Sequence, residues 1–250
     1  MLMALSTWQE IESYLGRSTG IIVPIGSFEQ HGPNGLIGTD ALCPEIIAKA
    51  AAADHDDILI APTFAVGCAQ HHLAFPGSMT LRPSTMIAAI ADWVASLRRH
   101  GFRRIYFFNG HGGNIATIQA AFSEIYADAS FDPAGAGNDD VQMMLRNWWE
   151  LPGVEKLCFE LYPEGHGSHA TPSEVSVTYY AYPEAVKTVT MEPEIAPSGS
   201  FHDARDYRRR FPDGRIGSNP ALSSPEDGGK IVAAAASALV GDYERFLSED

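Results

Sequence analysis

The chain has 250 residues, 45% of them apolar and 19% charged, which is enough hydrophobic material for a sizeable core and excludes a disordered or low-complexity chain. Seventeen Lys and Arg against 31 Asp and Glu leave a formal charge of −14, which argues against a nucleic-acid partner, because phosphate backbones need clustered cations. The one basic run, Arg205 and Arg208 to Arg210, is interleaved with Asp203, Asp206 and Asp213 and reads as a solvated face.

A soft prior of about 150 residues per domain allows one large domain or two small ones. No internal repeat is visible, so the expectation is a single globular domain over residues 1–250. No window approaches the roughly 18 consecutive apolar residues of a membrane span, and the N-terminus lacks a basic stretch followed by an apolar core. A cytoplasmic protein without a membrane partner is therefore expected. Cys43, Cys68 and Cys158 are far apart and form no CxxC pair, so neither a disulfide framework nor a thiolate zinc site is expected. Any metal would be held by His and carboxylate.

In chain order, Ser6 to Tyr14 opens with Thr7-x-x-Glu10, a capping-box pattern, and predicts a short helix. Gly20 to Ile25 (GIIVPI) has the β-branched apolar run of a buried strand. Ala41 to Ala53 places Leu42, Ile46, Ile47 and Ala50 at helical spacing, with Asp40 as the expected N-cap. Ile58 to Val66 reads as a strand broken by Pro62. Ser84 to His100 reads as a helix capped by Ser84 and stopped by Gly101. Arg104 to Phe108 predicts a strand, followed by the turn NGHGGN and a helix through Ile115, Ile118, Phe122 and Ile125. Phe131 to Asp140 reads as a loop and Val141 to Leu145 as a strand. Pro172 and Ser173 suit a helix start, with Val175 to Tyr180 as its body. Met191 to Pro225 is rich in Pro, Gly and Ser and reads as long loops over a site or at a subunit contact, before a closing helix from Glu226 to Leu247. Strands alternating with helices predict an α/β fold around a mostly parallel sheet.

Ligands of such sheets bind at the carboxyl ends of the strands, and polar clusters fall there. After the first strand comes GSFEQHGP and then GTD, which brings Glu29, His31 and Asp40 to one end of the sheet. Glu29 and His31, two apart, project to the same side of an extended segment. Two carboxylates and an imidazole suit a divalent metal, although an N-cap and two solvated loop residues would explain the segment equally well. In NGHGGN, His111 sits among glycines that let backbone approach a ligand; a phosphate cradle competes, but neither GxGxxG nor GxxxxGK[ST] is present. Glu174 follows His166 and His169 at the expected start of a helix, where a capping role competes with a chemical one. His71 and His72 form a weaker pair, suited to contact with substrate or a neighbouring subunit. No GxSxG elbow supports a Ser/His/Asp hydrolase.

Taken together, GSFEQHGP with GTD, HHLAFPG, NGHGGN, HATPSEVS and GRIGSNPALSSPEDGGK resemble the creatininase (creatinine amidohydrolase) family from about Gly20 to Gly229. The chain resembles members with NGHGGN rather than creatininase itself, whose motif has a carboxylate where this chain has Gly113. The resemblance implies a three-layer α/β/α sandwich, a homo-oligomer that is commonly a hexamer, and two divalent ions per chain, zinc first, with manganese or iron also suited. It implies Glu29, Asp40 and His111 on one ion, His31 and Asp40 on the other, with Glu174 as the candidate to complete the second. His169 would transfer protons, with Glu174 also in the catalytic group. Trp149, beside Trp148, falls near a substrate-covering Trp of creatininase, and His72 and Asn114 join it as expected substrate contacts. The implied reaction is cleavage of a carbon–nitrogen bond of a small amide, cyclic amide or formamide by a hydroxide bridging two ions. The alternatives are a formamide deformylase or small-peptide peptidase with the same centre and, from another class, a nonenzymatic nucleotide-binding module.

Overall fold

The structure is a computed structural model that describes residues 1–131 and 141–248. Among the described residues, three parallel strands form its sheet in the order β1 (Gly20–Ile25), β2 (Arg104–Asn109), β3 (Gln142–Asn147). The register pairs Ile25 with Asn109 and Asn109 with Asn147, so all three strands end level with one another. Every residue of β1 is buried, as a strand covered on both faces requires.

Alternate side chains of the strands feed two cores. Ile22, Tyr106 and Phe108 pack against α2 (Thr39–Ala51), α5 (Val154–Leu161), α6 (Pro172–Ala181) and α8 (Pro225–Ser248). Ile21, Val23, Ile25, Ile105 and Phe107 pack against α1 (Trp8–Leu15), α3 (Pro83–His100) and α4 (Ile115–Phe131) on the other face. The expected three-layer α/β/α arrangement follows from this period-two alternation.

Several boundaries depart from the sequence expectation. The segment after Ile58 is not a regular strand: Ile60 and Phe64 make isolated parallel bridges to Ile22 and Ile25. Pro62 lacks an N–H and interrupts the ladder between them. Helix α3 begins at Pro83 after an N-cap at Arg82, so Ser84 lies inside the first turn and caps nothing. Gly101 does end it, in the left-handed conformation at φ 110°. Strand β3 starts one residue late and runs on to Asn147. The expected loop 131–140 lies outside the described residues, except Phe131, which ends α4. The loop-rich stretch 191–225 contains a two-turn helix, α7 (Ala204–Arg210). There Asp206 pairs with Arg209 and Arg210, and the Arg208 guanidinium lies 4.2 Å over the Phe75 ring, so the arginine run is engaged locally. Among the described residues, no helix is long and apolar enough to cross a membrane.

Candidate metal centre and cavity

The first turn of α2 is seated against the carboxyl end of the sheet by two glycines. A Cβ on Gly26, just after β1, or on Gly110, just after β2, would overlap the Asp40 backbone carbonyl. Only a chain without side chains there lets the helix start approach the strand ends this closely. The N-cap of α2 is Gly38, not Asp40 as expected from the sequence. The helix starts earlier than the hydrophobic pattern suggested, so the Asp40 carboxylate is not spent on capping.

That carboxylate lies between two imidazoles: His31 Nε2 is 3.0 Å from Asp40 Oδ1 and His111 Nδ1 is 3.0 Å from Oδ2. Glu29 extends the cluster, with Oε2 3.3 Å from His111 Nε2 and Oε1 3.1 Å from His72 Nε2 and 3.6 Å from His169 Nδ1. Ser27 donates a hydrogen bond to Glu29 Oε2 at 2.9 Å. Glu174 Oε1 approaches His31 Nε2 to 3.9 Å. The same oxygen accepts a 2.5 Å hydrogen bond from the Thr171 backbone N–H, closing a capping box; Glu174 therefore both caps α6 and faces the cluster.

The histidine partners fix which ring nitrogens face Asp40. His31 Nδ1 lies 3.1 Å from the Glu29 carbonyl and His111 Nε2 lies 3.1 Å from the Cys68 carbonyl. A carbonyl only accepts, so each of these nitrogens carries the proton. In the neutral rings His31 Nε2 and His111 Nδ1 then turn lone pairs toward a carboxylate, an arrangement that needs a cation between or beside them. Two carboxylate oxygens here, Glu29 Oε1 and Asp40 Oδ2, are buried and accept no hydrogen bond. Unpaired charge so deep is costly unless a metal or proton answers it. Without a metal, protons take that place. Burial alone would lower both imidazoles, but Asp40 beside His31 pushes its pKa up to about 10, and Glu29 and Asp40 push His111 up to about 9. Burial raises the Glu174 carboxyl to about 7, against the pull of His31. Glu29, His31 and Asp40 can converge on one ion.

These groups form one wall of a cavity of about 550 Å³. His71, His72 and His169 line it, as do Trp148 and Trp149, which meet edge to face. Asn114 does not. Its carboxamide is fully buried, accepting from Cys68 N–H and donating to the Gly26 carbonyl, both at 2.9 Å. The expected substrate contact at Asn114 is thus replaced by a latch between two loops. Sequence reasoning missed Gln30, Phe201 and Tyr207. Tyr207 and Phe201 line the cavity from the stretch read as loop, where no periodicity marked them. Gln30, within EQH, was signalled only by its neighbours.

A family model described as creatinine amidohydrolase matches residues 4–242. The creatinine amidohydrolase of Pseudomonas putida is 26% identical over 190 residues, 72% of this chain and 71% of that protein. The mycofactocin precursor peptide peptidase of Mycolicibacterium smegmatis is 32% identical over 106 residues, which cover 40% of this chain and 42% of that protein. Among solved structures, a creatinine amidohydrolase (creatininase) superposes with a TM-score of 0.84 at 23% identity, over 100% of this chain and 98% of that one. A creatininase described as Mn superposes over 99% of each chain, also at 0.84 and 23%; at this identity the superpositions speak for the fold alone. With a matching model over nearly its whole length, and the residues of the matching motifs gathered at one end of its sheet, the chain belongs to the creatininase family of hydrolases.

Proposed function

We propose that this chain is a dinuclear metal-dependent hydrolase that cleaves a carbon–nitrogen bond in a small amide, cyclic amide or formamide. The observation that carries the reading is the Asp40 carboxylate held between two imidazoles, each 3.0 Å away, with buried oxygens on Asp40 and Glu29 that accept no hydrogen bond. Glu29, Asp40 and His111 would hold one ion, and His31, Asp40 and Glu174 the other, with zinc first and manganese as the alternative. Gly113 supports the part given to Glu174: a Cβ there would overlap His111 Nε2 and crowd the Cys68 carbonyl, so this turn has no room for a carboxylate ligand. When bound, the ions would lower the pKa of water toward about 7 and polarise the amide carbonyl.

The chain's own groups would do the rest. Ser27 holds one oxygen of the Glu29 carboxylate, and the His72 ring lies 3.1 Å from the other. Trp149 and Phe201 give the substrate an apolar wall, and α7 and its flanking loops cover the cavity through Tyr207. His169, on the cavity surface beside Glu29, would deliver a proton to the leaving nitrogen. A small-peptide peptidase is the second reading. It is favoured by a cavity volume within the range that takes drug-sized ligands and by the similarity to a peptide peptidase. A panel of creatinine, formylated amines and short peptides, assayed with and without added zinc or manganese, tests both. Metal-dependent turnover of any of these supports the proposal and names the substrate class; no turnover of any by a metal-loaded protein contradicts it.

A further inference from the structure

Behind the metal-facing histidines lies a second, metal-free network centred on Gln30, whose side chain is buried. Its amide orientation is set by the backbone: Oε1 accepts the Gly32 N–H at 2.8 Å, so Nε2 is the other end of the group. The seat is close-fitting. Gly214, at φ 90°, packs directly on the carboxamide, and a Cβ there would overlap Oε1.

Nε2 has two protons and three near neighbours: the Gly214 carbonyl at 2.9 Å, His72 Nδ1 at 3.0 Å and His169 Nε2 at 2.9 Å. The Tyr207 hydroxyl is more distant at 3.5 Å, and itself donates to the Gly214 carbonyl at 2.8 Å. The Gly214 carbonyl can only accept, so it takes one amide proton. His169 Nε2 also lies 2.8 Å from the Gln30 backbone carbonyl. That oxygen cannot donate and its contact is the shorter of the two, so the count gives the Nε2 proton of His169 to it, and the amide then finds no acceptor there. The second amide proton is left for His72 Nδ1.

From this proton count we infer that Gln30 is a positioning residue: its backbone carbonyl and side-chain amide hold His169 and His72 in fixed tautomers, so that His169 turns a bare Nδ1, and His72 an Nε2–H, toward Glu29. Both rings are in the same tautomer yet present opposite faces to one carboxylate oxygen, at 3.6 Å for His169 Nδ1 and 3.1 Å for His72 Nε2. The His72 Nε2–H lies near the Glu29 charge without making a directed hydrogen bond to Oε1, while His169 keeps a lone pair free at the cavity wall. The use of Nδ1 as the atom that takes up and passes on the proton rests on the hydrolase reading above; the tautomers themselves do not.

The test is long-range proton–nitrogen NMR of the metal-free protein labelled with ¹⁵N in histidine, with the two rings assigned by His72→Phe and His169→Phe. The expected spectrum shows both rings protonated at Nε2 and bare at Nδ1. In Gln30→Glu, a carboxylate that accepts would replace the amide that donates, so His72 should move its proton to Nδ1 or become doubly protonated while His169, held by the backbone carbonyl, keeps its pattern. A parent spectrum with His169 protonated at Nδ1, or a His72 pattern unchanged in Gln30→Glu, overturns the inference. Should Gln30→Glu fail to fold, the parent spectrum decides alone. Because no metal or turnover enters the readout, a failure here leaves the hydrolase proposal standing, and a failed substrate panel leaves the tautomers standing.

Discussion

Asp242 and Asp40 are both buried carboxylates surrounded by cations or imidazoles, yet they are built on opposite terms. Asp242, on α8, accepts from Tyr106 Oη at 2.6 Å, Arg146 Nε at 2.9 Å and Arg245 Nη2 at 2.7 Å, so that both of its oxygens are used. Asp40 has one oxygen that accepts nothing, and its neighbour Glu29 has another. A satisfied network adds stability and specifies the packing of a helix on a sheet. An unsatisfied one is tolerated where something else completes it. The contrast separates scaffold from site in a molecule that has buried charge in both.

The comparison can be broken most sharply at the metal-facing end. His111→Ala removes a proposed ligand and should lower metal-dependent turnover by at least about 100-fold, measured as kcat/KM, since even outer-shell partners of a metal are worth about 10- to 100-fold. A smaller loss, of about 10-fold in metal affinity, is expected of Gly113→Ala, because the added methyl must push His111 off its present position; titration with zinc followed by calorimetry reads it. On the scaffold side, Asp242→Asn should destabilise by about 2 kcal/mol by weakening the bonds to Arg146 and Tyr106, lowering the melting temperature by about 4–8 °C without loss of bound metal. The pH dependence follows from the sign of its shift. Burial pushes the Asp242 carboxyl up, but the Tyr106 and Arg146 hydrogen bonds outweigh it and leave the pKa below the ordinary 3.8. Its stabilisation is then complete above that value and is lost as pH falls through the folded pKa. Denaturant titrations should accordingly show the full gap between parent and variant at pH 7 and a shrinking one below about pH 4. The smallest effect, about 1 kcal/mol, belongs to Thr7→Ala, which opens the capping box of α1 far from the cavity and should leave turnover unchanged.

Much of the scaffold was legible in the sequence because its signals are local. The Thr7-x-x-Glu10 box, the GIIVPI run and Gly101 each specify one backbone geometry, and each is found as expected. Thr171-x-x-Glu174 is the same box, overlaid in the sequence by the Pro172-Ser173 helix-start signal. The break that Pro62 makes in the Ile58 to Val66 segment is found as expected, but the apolar pattern does not show that only isolated bridges, at Ile60 and Phe64, form on either side of it. The start of α2 was misplaced because Asp40 is a good cap by type; only the close approach allowed by Gly26 and Gly110, a tertiary fact, shows that its carboxylate is needed elsewhere. For the site, Glu29, His31 and the GTD and NGH residues could be gathered by reasoning that they follow strand ends. Gln30, Phe201 and Tyr207 could not, because what they do depends on which loops meet, and no spacing along the chain records that.

The most direct test of the central claim is elemental analysis of the purified protein beside Asp40→Asn, with divalent metal counted per chain after incubation with zinc or manganese. Close to two ions in the parent and a marked loss in the variant is the result expected if Asp40 joins two half-sites. A parent that binds no metal, or an Asp40→Asn variant that keeps the full complement and its turnover, would contradict it.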